Sequence, residues 1–538
     1  MHNCILIPNS RITTPRLTLM LSKQTGRTMS ILARTNPRLE MVSDWMNPIL
    51  VKETRQALKS RQFVATFLLV LFACWVICLI GVAMLGSRIE YGAPSTGFLQ
   101  GFFQVLSVAV IIAIPFSSYR SLLGEQDAQT YELLSITSLS PRQIVWGKLL
   151  NAVVQILVLY SAVAPFVAFT SLLQGFDLPR TLLVLLLLFG LSVFLCMATL
   201  MLSTVSRNRQ VQVLSTLFVL GGLIAAYSMM SAGFTAIIQG FVDLDTDFYL
   251  GILTFVLIGL SYFVLFLQIS ISQLMFDAAN KATGVRLVAT CQFLLFWLLP
   301  SAYNWFYGVP LNKDLLETIA VYSLIHWGVF GFFVAMERDY LSRRVRRDLP
   351  RRGLIRLLAI PFLPGGTRGY LLVLLNLLTL LALLQFNAHV WAAHANSSFL
   401  QAFQAALAYT VIYLGLGCLL TRWLLRVSQE MQPLHGRTIL IVLIALGTIL
   451  PYFILWGLGH YDTYHHTYSL LQITNPFETM AEVELSGSES HAILSVLGLG
   501  VLTVVGLNFL PILRACGEIL WPRRPSRSVS PDVTLSEA

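Results

Sequence analysis

Residues 63–86 read FVATFLLVLFACWVICLIGVAMLG, a run of apolar side chains without a single charge. A helix of about 20 residues crosses the hydrocarbon core of a bilayer, so this run is long enough to span it. Such runs recur along the chain: 56% of its 538 residues are hydrophobic and 12% are charged, whereas soluble domains carry about 25% charged residues. Because only helices pair the backbone of such runs within lipid, the sequence predicts an all-α polytopic membrane protein.

The apolar runs predict about twelve transmembrane helices. Each run is close to the length that a bilayer requires and is bounded by charged or turn-forming residues. Residues 231–240, which follow the fifth run, are also apolar enough to dip back into the membrane. The predicted spans are 63–86, 99–117, 148–174, 181–205, 211–232, 250–275, 287–304, 317–336, 369–387, 400–421, 438–457 and 492–512.

The basic side chains are distributed unevenly between the two sides of these spans. If the N-terminus lies inside, only Arg88, Arg180 and Lys313 of the 36 Lys and Arg residues fall in or beside outer loops. This positive-inside pattern predicts a multi-pass protein of the cell's inner (cytoplasmic) membrane with both termini in the cytoplasm. The net charge of +10 therefore sets topology and attracts anionic headgroups, so we expect membrane lipids and no nucleic acid as partners. The densest basic cluster comprises Arg343, Arg344, Arg346, Arg347, Arg351, Arg352 and Arg356.

The order of apolar and polar stretches divides the chain into four parts. Residues 1–46 form a basic N-terminal arm that is disordered or lies upstream of the true start. Residues 47–276 and 277–513 each hold six spans, and 514–538 form a cytoplasmic tail. The stretches outside the spans include an interfacial helix at 47–61, a polar loop at 117–148, a basic inner loop at 337–368 and an outer loop at 458–491.

The segment before the first span, NPILVKETRQALKSR, has the pattern of an amphipathic helix. Asn47 can cap it and Pro48 suits its first turn. Lys52, Arg55 and Lys59 then fall on one face, as expected for a helix lying along the inner membrane surface. An ordinary positive flank that only fixes topology is the alternative, and continuity with the first span favours the interfacial helix.

The polar loop between spans two and three is predicted to contain two short helices. Glu132, Leu133 and Leu134 lie in a segment with helical character. Ser140 and Pro141 form a typical helix start, with a capping serine followed by proline at the first helical position. We therefore expect one short helix before 137–140 and another that runs on into span three.

Several kinds of chemistry are not indicated by the sequence. It contains no G-x-x-x-x-G-K-[ST] motif, so we expect no ATPase site and no enzymatic activity of its own. The seven cysteines lack metal or disulfide spacing. We expect no metal site, because the outer-loop group around His460 and His465 is more typical of solvent-facing surface. The first six spans have no ionisable interior residue, and Glu317 and His326 are the nearest candidates in the second half.

Two segments resemble the permeases of type-2 ABC exporters. The stretch GEQDAQTYELLSITSLSPRQIVWGKLL is similar to their cytoplasmic loop, approximately G-E-R-E-x-G-T-L-E-L-L-L-x-T-P-L-S-P-x-x-I-V-x-G-K, and Asp127 keeps its second acid. NPILVKETRQ is similar to the N-P-I-x-x-K-E-L-R-Q segment before the family's first span, so the resemblance covers about 47–276. The matching loop positions are Gly124, Glu125, Thr130, Glu132, Leu133, Leu134, Thr137, Leu139, Ser140, Pro141, Ile144, Val145, Gly147 and Lys148.

The resemblance implies the membrane-spanning subunit of an ATP-driven exporter, whose first six spans form a type-2 exporter domain. ATP and Mg would be bound by a separate ATPase subunit, with no cofactor in this chain. A coupling motif that occurs once favours pairing with a second, identical or homologous permease over a single channel built from both halves. The implied coupling residues are Glu125, Asp127, Thr130, Glu132, Leu133, Leu134, Ser140 and Pro141. The implied interfacial residues are Asn47, Pro48, Lys52, Glu53 and Arg55.

Two other classes of function remain open. An ion-coupled secondary transporter usually needs ionisable or ion-binding groups within the membrane, and these are scarce here. A non-transporting membrane scaffold is the second alternative.

Overall fold

The computed structural model describes ten stretches of the chain. They contain no β-strand, and twelve helical stretches are long and apolar enough to cross a membrane. The predicted all-α, multi-pass membrane fold is therefore confirmed. The described residues are 48–85, 95–127, 140–205, 209–276, 278–307, 312–390, 397–427, 433–459, 468–485 and 490–520.

The chain divides into two compact units, and the first is Met1–Val256. Within it α6 packs on α4 and α7, α3 packs on α2 and α5, and α1 packs on α5. The described helices of this unit are α1 (Pro48–Leu58), α2 (Arg61–Leu85), α3 (Ser95–Ser107), α4 (Ile114–Asp127), α5 (Pro141–Thr170), α6 (Leu178–Val205), α7 (Arg209–Ile238) and the first part of α8 (Thr246–Leu274).

The second unit is Leu257–Ala538. Its central helix is α14, which packs on α13, α15, α16 and α17 around a core that includes Trp327 and Tyr370. Its described helices are the rest of α8, α9 (Thr283–Tyr307), α10 (Lys313–Val334), α11 (Arg343–Arg347), α12 (Gly353–Ala359), α13 (Gly366–Val390), α14 (Ser397–Val427), α15 (Pro433–Gly457), α16 (Pro476–Leu485) and α17 (Ser490–Leu520).

Each predicted span coincides with one helical stretch, in the predicted order. The main correction concerns the start of the polar loop 117–148, because α4 continues to Asp127, whereas α5 begins at Pro141 as predicted. Tyr119 shows the reason: it is fully buried, and its hydroxyl lies 2.6 Å from Ser215 Oγ on α7. The polar side chains at the start of the presumed loop therefore serve helix packing. The first of the two predicted short helices falls on residues outside the described part of the chain.

Helices α3 and α4 form one continuous rod with a widened turn. Residues Val108–Ala113 are wound as a π-helix immediately before Pro115. Proline has no N–H, and its ring clashes with the carbonyl four residues earlier in a regular helix, so a wider turn accommodates it. The Pro115 carbonyl accepts a hydrogen bond from Thr199 Oγ1 on α6 at 3.0 Å. The rod can therefore pass from one end of unit 1 to the other without a break.

Two further expectations about helix boundaries were wrong. Residues 231–240 do not dip back as a separate segment, because α7 runs on to Ile238. The interfacial helix is not continuous with the first span either: α1 ends at Leu58, and Ser60 Oγ accepts the Phe63 N–H at 3.2 Å to start α2. The broken junction separates a helix that lies beside α5 from one that spans.

The connecting segments of unit 2 also contain helices. The predicted inner loop 337–368 includes α11, α12 and a 3-10 turn at Ile360–Phe362, followed by Gly365 with a φ of +129°, a conformation that favours glycine. The predicted outer loop 458–491 includes a 3-10 turn at Leu470–Thr474 and α16. Helix α17 extends to Leu520, because Ile519 is buried against the inner-loop residues. The first seven residues of the predicted tail are thus helical.

Candidate functional site

One buried ammonium group joins three helices at the end of unit 1 that borders residues 128–139. Lys148 Nζ on α5 lies 3.0 Å from Glu53 Oε1 on α1 and 3.0 Å from Ser121 Oγ on α4. The Lys148 side chain is 3% exposed and that of Glu53 is 16% exposed. Because a buried charge is costly unless it is paired, this contact fixes the three helix ends relative to one another.

Local sequence explains why α5 places Lys148 there. Ser140 caps α5 by accepting the Gln143 N–H at 3.3 Å, and the Gln143 side chain accepts the Ser140 N–H at 2.9 Å. Pro141 occupies the first turn, where a missing N–H costs nothing. The predicted helix start is therefore confirmed. Lys148 then lies two turns into α5, on its buried side.

Helix α1 presents two different faces. Ile49 and Leu50 are buried, and Glu53 points to Lys148 on α5. Lys52 and Arg55 are exposed, in agreement with the predicted basic face. The acid of α1 is thus used within the protein, whereas its basic side chains remain available for headgroups or a partner.

The structure locates only part of the predicted coupling and interfacial sets. Ser140 and Pro141 start α5, and Pro48 starts α1. Glu125 and Asp127 fall in the last turn of α4, where the structure describes the backbone and not the side chains. The predicted positions outside the described residues are Asn47, Thr130, Glu132, Leu133 and Leu134, and their roles stay predictions.

A buried polar stripe continues from Lys148 into α5. Asn151 and Gln155 follow it at helical spacing and are 7% and 4% exposed. The Asn151 side-chain oxygen has no hydrogen-bond partner among the described residues. An unpaired buried oxygen is unusual and marks a place where water or a rearranged neighbour can donate.

A second polar feature was missed by the sequence reasoning and joins α3 to α7. Gln104 Nε2 donates to Ser231 Oγ at 2.7 Å, and Tyr227 donates to Gln104 Oε1 at 2.7 Å. One turn away, Gln239 Nε2 donates to Gln100 Oε1 at 2.8 Å. The signal was present in the sequence: polar residues recur every four positions on α7, which puts them on one face. We call these residues the α3–α7 ladder.

In unit 2 the described membrane helices enclose one histidine. His326 on α10 is buried, lies over Phe330, and has an Nε2 atom without a hydrogen-bond partner among the described residues. Tyr322 on the same helix bonds to Tyr262 on α8. Glu317, the other candidate, pairs with Lys313 at 3.9 Å near the start of α10. An intramembrane histidine is a reasonable candidate for ion handling.

Unit 2 also buries arginines that the sequence places at the ends of spans. Arg286 on α9 is 1% exposed and lies 2.7 Å from Glu337 Oε2. Arg368 on α13 pairs with Glu518 on α17 at 3.2 Å. The sequence suggested that such arginines only flank the spans and set topology. Their burial depends on pairing with Glu337 and Glu518, which are distant in the sequence.

No site for a metal is formed by the described residues, where no three His, Cys, Asp or Glu side chains come together. The outer-loop group around His460 and His465 lies outside that part of the chain. The six described cysteines are free thiols.

Comparison of this chain with family models, curated proteins and solved structures finds no match.

Proposed function

We propose that this protein is the permease subunit of an ATP-driven ABC exporter, coupled to a separate ATPase subunit through the segment between α4 and α5. The observation that carries the proposal is the bond of Lys148 to Glu53 and Ser121. It joins the two segments that resemble the type-2 exporter permeases, since Glu53 lies in the first and Lys148 in the second. The acid of N-P-I-x-x-K-E and the lysine of G-K are paired in this fold.

In the proposed mechanism, closure of the ATPase subunits on ATP pushes on residues 128–139 and on the basic face of α1. Glu132 would pair with a basic group of the ATPase, and Leu133 and Leu134 would fill a groove there. Because Lys148 fixes α1, α4 and α5 to one another, such a push would move their ends together. The α3–α7 ladder and the stripe at Asn151 would pass the movement into the bundle. ATP and Mg stay on the partner.

The proposal includes the assembly and the membrane. One coupling segment in unit 1 favours a second, identical or homologous permease alongside this chain. Helix α7 keeps a row of exposed apolar side chains, among them Leu214 and Phe218, that suits lipid or such a partner. The positive-inside pattern favours the inner (cytoplasmic) membrane with both termini in the cytoplasm.

The test is vanadate-sensitive ATP hydrolysis by a reconstituted complex of this protein and its ATPase subunit. We expect hydrolysis coupled to transport, and loss of ATPase co-purification in Glu132→Ala combined with Leu133→Ala. The control is Glu484→Ala with Leu485→Ala on α16, the same two residue types on the predicted outer side. Leu485 is 85% exposed, so this pair should be tolerated. Co-purification that survives the first double variant contradicts the coupling role.

An ion-coupled secondary transporter is the second candidate, because of buried His326. It predicts transport that collapses with the ion gradient and continues without ATP. His326→Gln would then abolish transport, whereas an ATP-driven exporter would retain its vanadate sensitivity in this variant. The two candidates are separated by measuring transport with the gradient removed and ATP present.

A further inference from the structure

A groove in unit 2 lies against the short helix α12. Its volume is about 410 Å³, and its walls come from α9, α12, the 3-10 turn that follows, α13 and α17. Leu294, Leu358 and Leu375 are typical of its lining. The volume falls in the range of about 300–1,000 Å³ found for pockets that hold small ligands. The groove is therefore large enough for a ligand segment.

The few polar side chains in this groove are already bonded to their own helices. Thr290 Oγ1 donates to the Arg286 carbonyl at 2.9 Å, and Asn376 Nδ2 donates to the Leu372 carbonyl at 2.8 Å. Thr379 Oγ1 bonds in the same way one turn further along α13. Because these groups are satisfied, the groove presents a hydrocarbon surface and suits an apolar occupant.

Helix α12 itself exposes aliphatic side chains. Leu354 is 72% exposed and Leu358 is 65% exposed. Leu375 and Leu378, on the adjoining part of α13, are exposed as well, so the groove is continuous with an exposed apolar side of a helix that is long and apolar enough to cross a membrane. Exposed leucines beside charged residues are typical of a helix at the bilayer interface, where acyl chains cover the leucines.

The same segment is strongly basic. Residues 343–356 contain seven arginines and one acid, Asp348. Arg351 and Arg352 are exposed, and neither forms an ion pair within the described residues. Arg356 Nε donates to the Pro350 carbonyl at 2.9 Å, and the next residue on α12, Leu357, lines the groove. Guanidinium groups bind phosphate through paired hydrogen bonds.

The floor of the groove is held in place by Arg286. Its guanidinium donates to the carbonyls of Pro361 at 2.9 Å and Leu363 at 2.5 Å, and Glu337 balances its charge. Thr283 Oγ1 donates to the Phe362 carbonyl at 2.9 Å. The 3-10 turn under α12 and the residue after it are therefore held to α9 by three hydrogen bonds.

We propose that this groove binds an acyl chain of an anionic glycerophospholipid, whose phosphate is held by Arg351, Arg352 and Arg356. A lipid fits better than a soluble partner because the hydrocarbon groove is continuous with the exposed apolar side of α13, and the arginines lie on or just before α12, which lines the groove. The site belongs to unit 2 and is independent of the proposed coupling to an ATPase. The positive-inside pattern places it in the cytoplasmic leaflet.

The experiment is native mass spectrometry of the full-length, delipidated protein titrated with dioleoyl phosphatidylglycerol or dioleoyl phosphatidylcholine. We expect phosphatidylglycerol to bind about tenfold more tightly. Changing Arg351, Arg352 and Arg356 together to Gln should remove this preference. Filling the groove with Thr379→Trp should weaken both lipids.

The matched control changes Arg343, Arg344 and Arg347 to Gln, which removes the same charge from α11, where no residue lines the groove. Equal losses in both triple variants would mean general attraction and overturn the proposal. Unchanged binding in Thr379→Trp, or displacement of the lipid by equimolar inorganic phosphate, would overturn it too. If the Gln triple fails to fold, judged by gel filtration and helical content, the corresponding Lys triple replaces it and should lower the preference through loss of paired hydrogen bonds.

Discussion

Lys148 has its charge balanced by Glu53 and donates a further hydrogen bond to Ser121 in unit 1. Two of these residues belong to sequence motifs, and their pairing required the fold. Motifs identify residue types and their positions, but 95 residues separate Glu53 from Lys148. Ser121 carried no signal at all, because a serine in a polar stretch is unremarkable. The motifs therefore contained Glu53 and Lys148, and the structure was needed to show that they form a pair.

Replacing one partner of the Glu53–Lys148 pair leaves an unpaired buried charge, whereas replacing both partners leaves none. Glu53→Gln leaves a buried ammonium without its counter-charge, so we expect the free energy of unfolding to fall by about 3 kcal/mol. Lys148→Met should cost a similar amount, and the double variant should cost less than the sum, because no unpaired charge remains. Thermal unfolding of the full-length protein in detergent measures all three.

The control for this pair is Arg55→Gln, on the exposed face of the same helix. It should change the free energy of unfolding by no more than about 0.5 kcal/mol. Additive losses in the double variant would show that Glu53 and Lys148 act separately.

At the level of helices, local signals were read correctly and tertiary ones were missed. The start of α5 could be predicted because a capping serine and a first-turn proline act within one turn. The extension of α4 could not, since the polarity of this stretch suggested solvent. Its burial depends on Tyr119 meeting Ser215 across a sequence gap of 96 residues. The predicted end of α7 was wrong for a different reason: the apolar character of residues 231–240 suggested a separate segment, although the polar residues of α7 repeat every four positions into it.

The α3–α7 ladder should contribute measurable coupling between the two helices. Gln104→Met and Tyr227→Phe each remove one side of a hydrogen bond without a large change in volume. We expect a coupling energy of about 0.6 kcal/mol in the double-variant cycle, the average for hydrogen bonds between membrane helices. Thermal unfolding in the same detergent provides the four free energies.

Thr254→Val serves as the reference for that cycle. Thr254 on α8 donates only to the Leu250 carbonyl of its own helix at 2.8 Å. Combined with Gln104→Met, it should therefore give no coupling. If the cycle between Gln104 and Tyr227 also gives no coupling energy, the ladder does not contribute to the association of α3 and α7.

Across the whole chain, hydropathy alone was sufficient to predict twelve spans. Lipid requires every crossing segment to be long, apolar and internally hydrogen-bonded, and composition reveals all of this. Composition does not reveal which charged side chains at the ends of the spans are buried within the protein. Arg286 and Arg368 resemble topology flanks, yet the fold brings Glu337 and Glu518 to them. Boundaries and buried charges therefore needed the three-dimensional structure.

The positive-inside pattern makes a prediction about the entire protein in its membrane. A cysteine introduced at Asp243, between α7 and α8, should react with an impermeant maleimide from outside the cell. A cysteine at Arg347 on α11 should react only after the membrane is permeabilised. The parent protein measures the background from natural cysteines such as exposed Cys291. Reaction of both positions in intact cells would contradict the predicted orientation.

The cap at Ser140 has a consequence for how this protein can change. Its hydrogen bonds with Gln143 lie inside α5 itself, so the cap forms without a contribution from residues 128–139. That stretch can therefore be lengthened, shortened or exchanged for one from another protein while the span after it folds as before. The segment proposed to recognise a soluble partner and the helix that inserts in the bilayer can therefore be exchanged independently, for example in chimeric proteins.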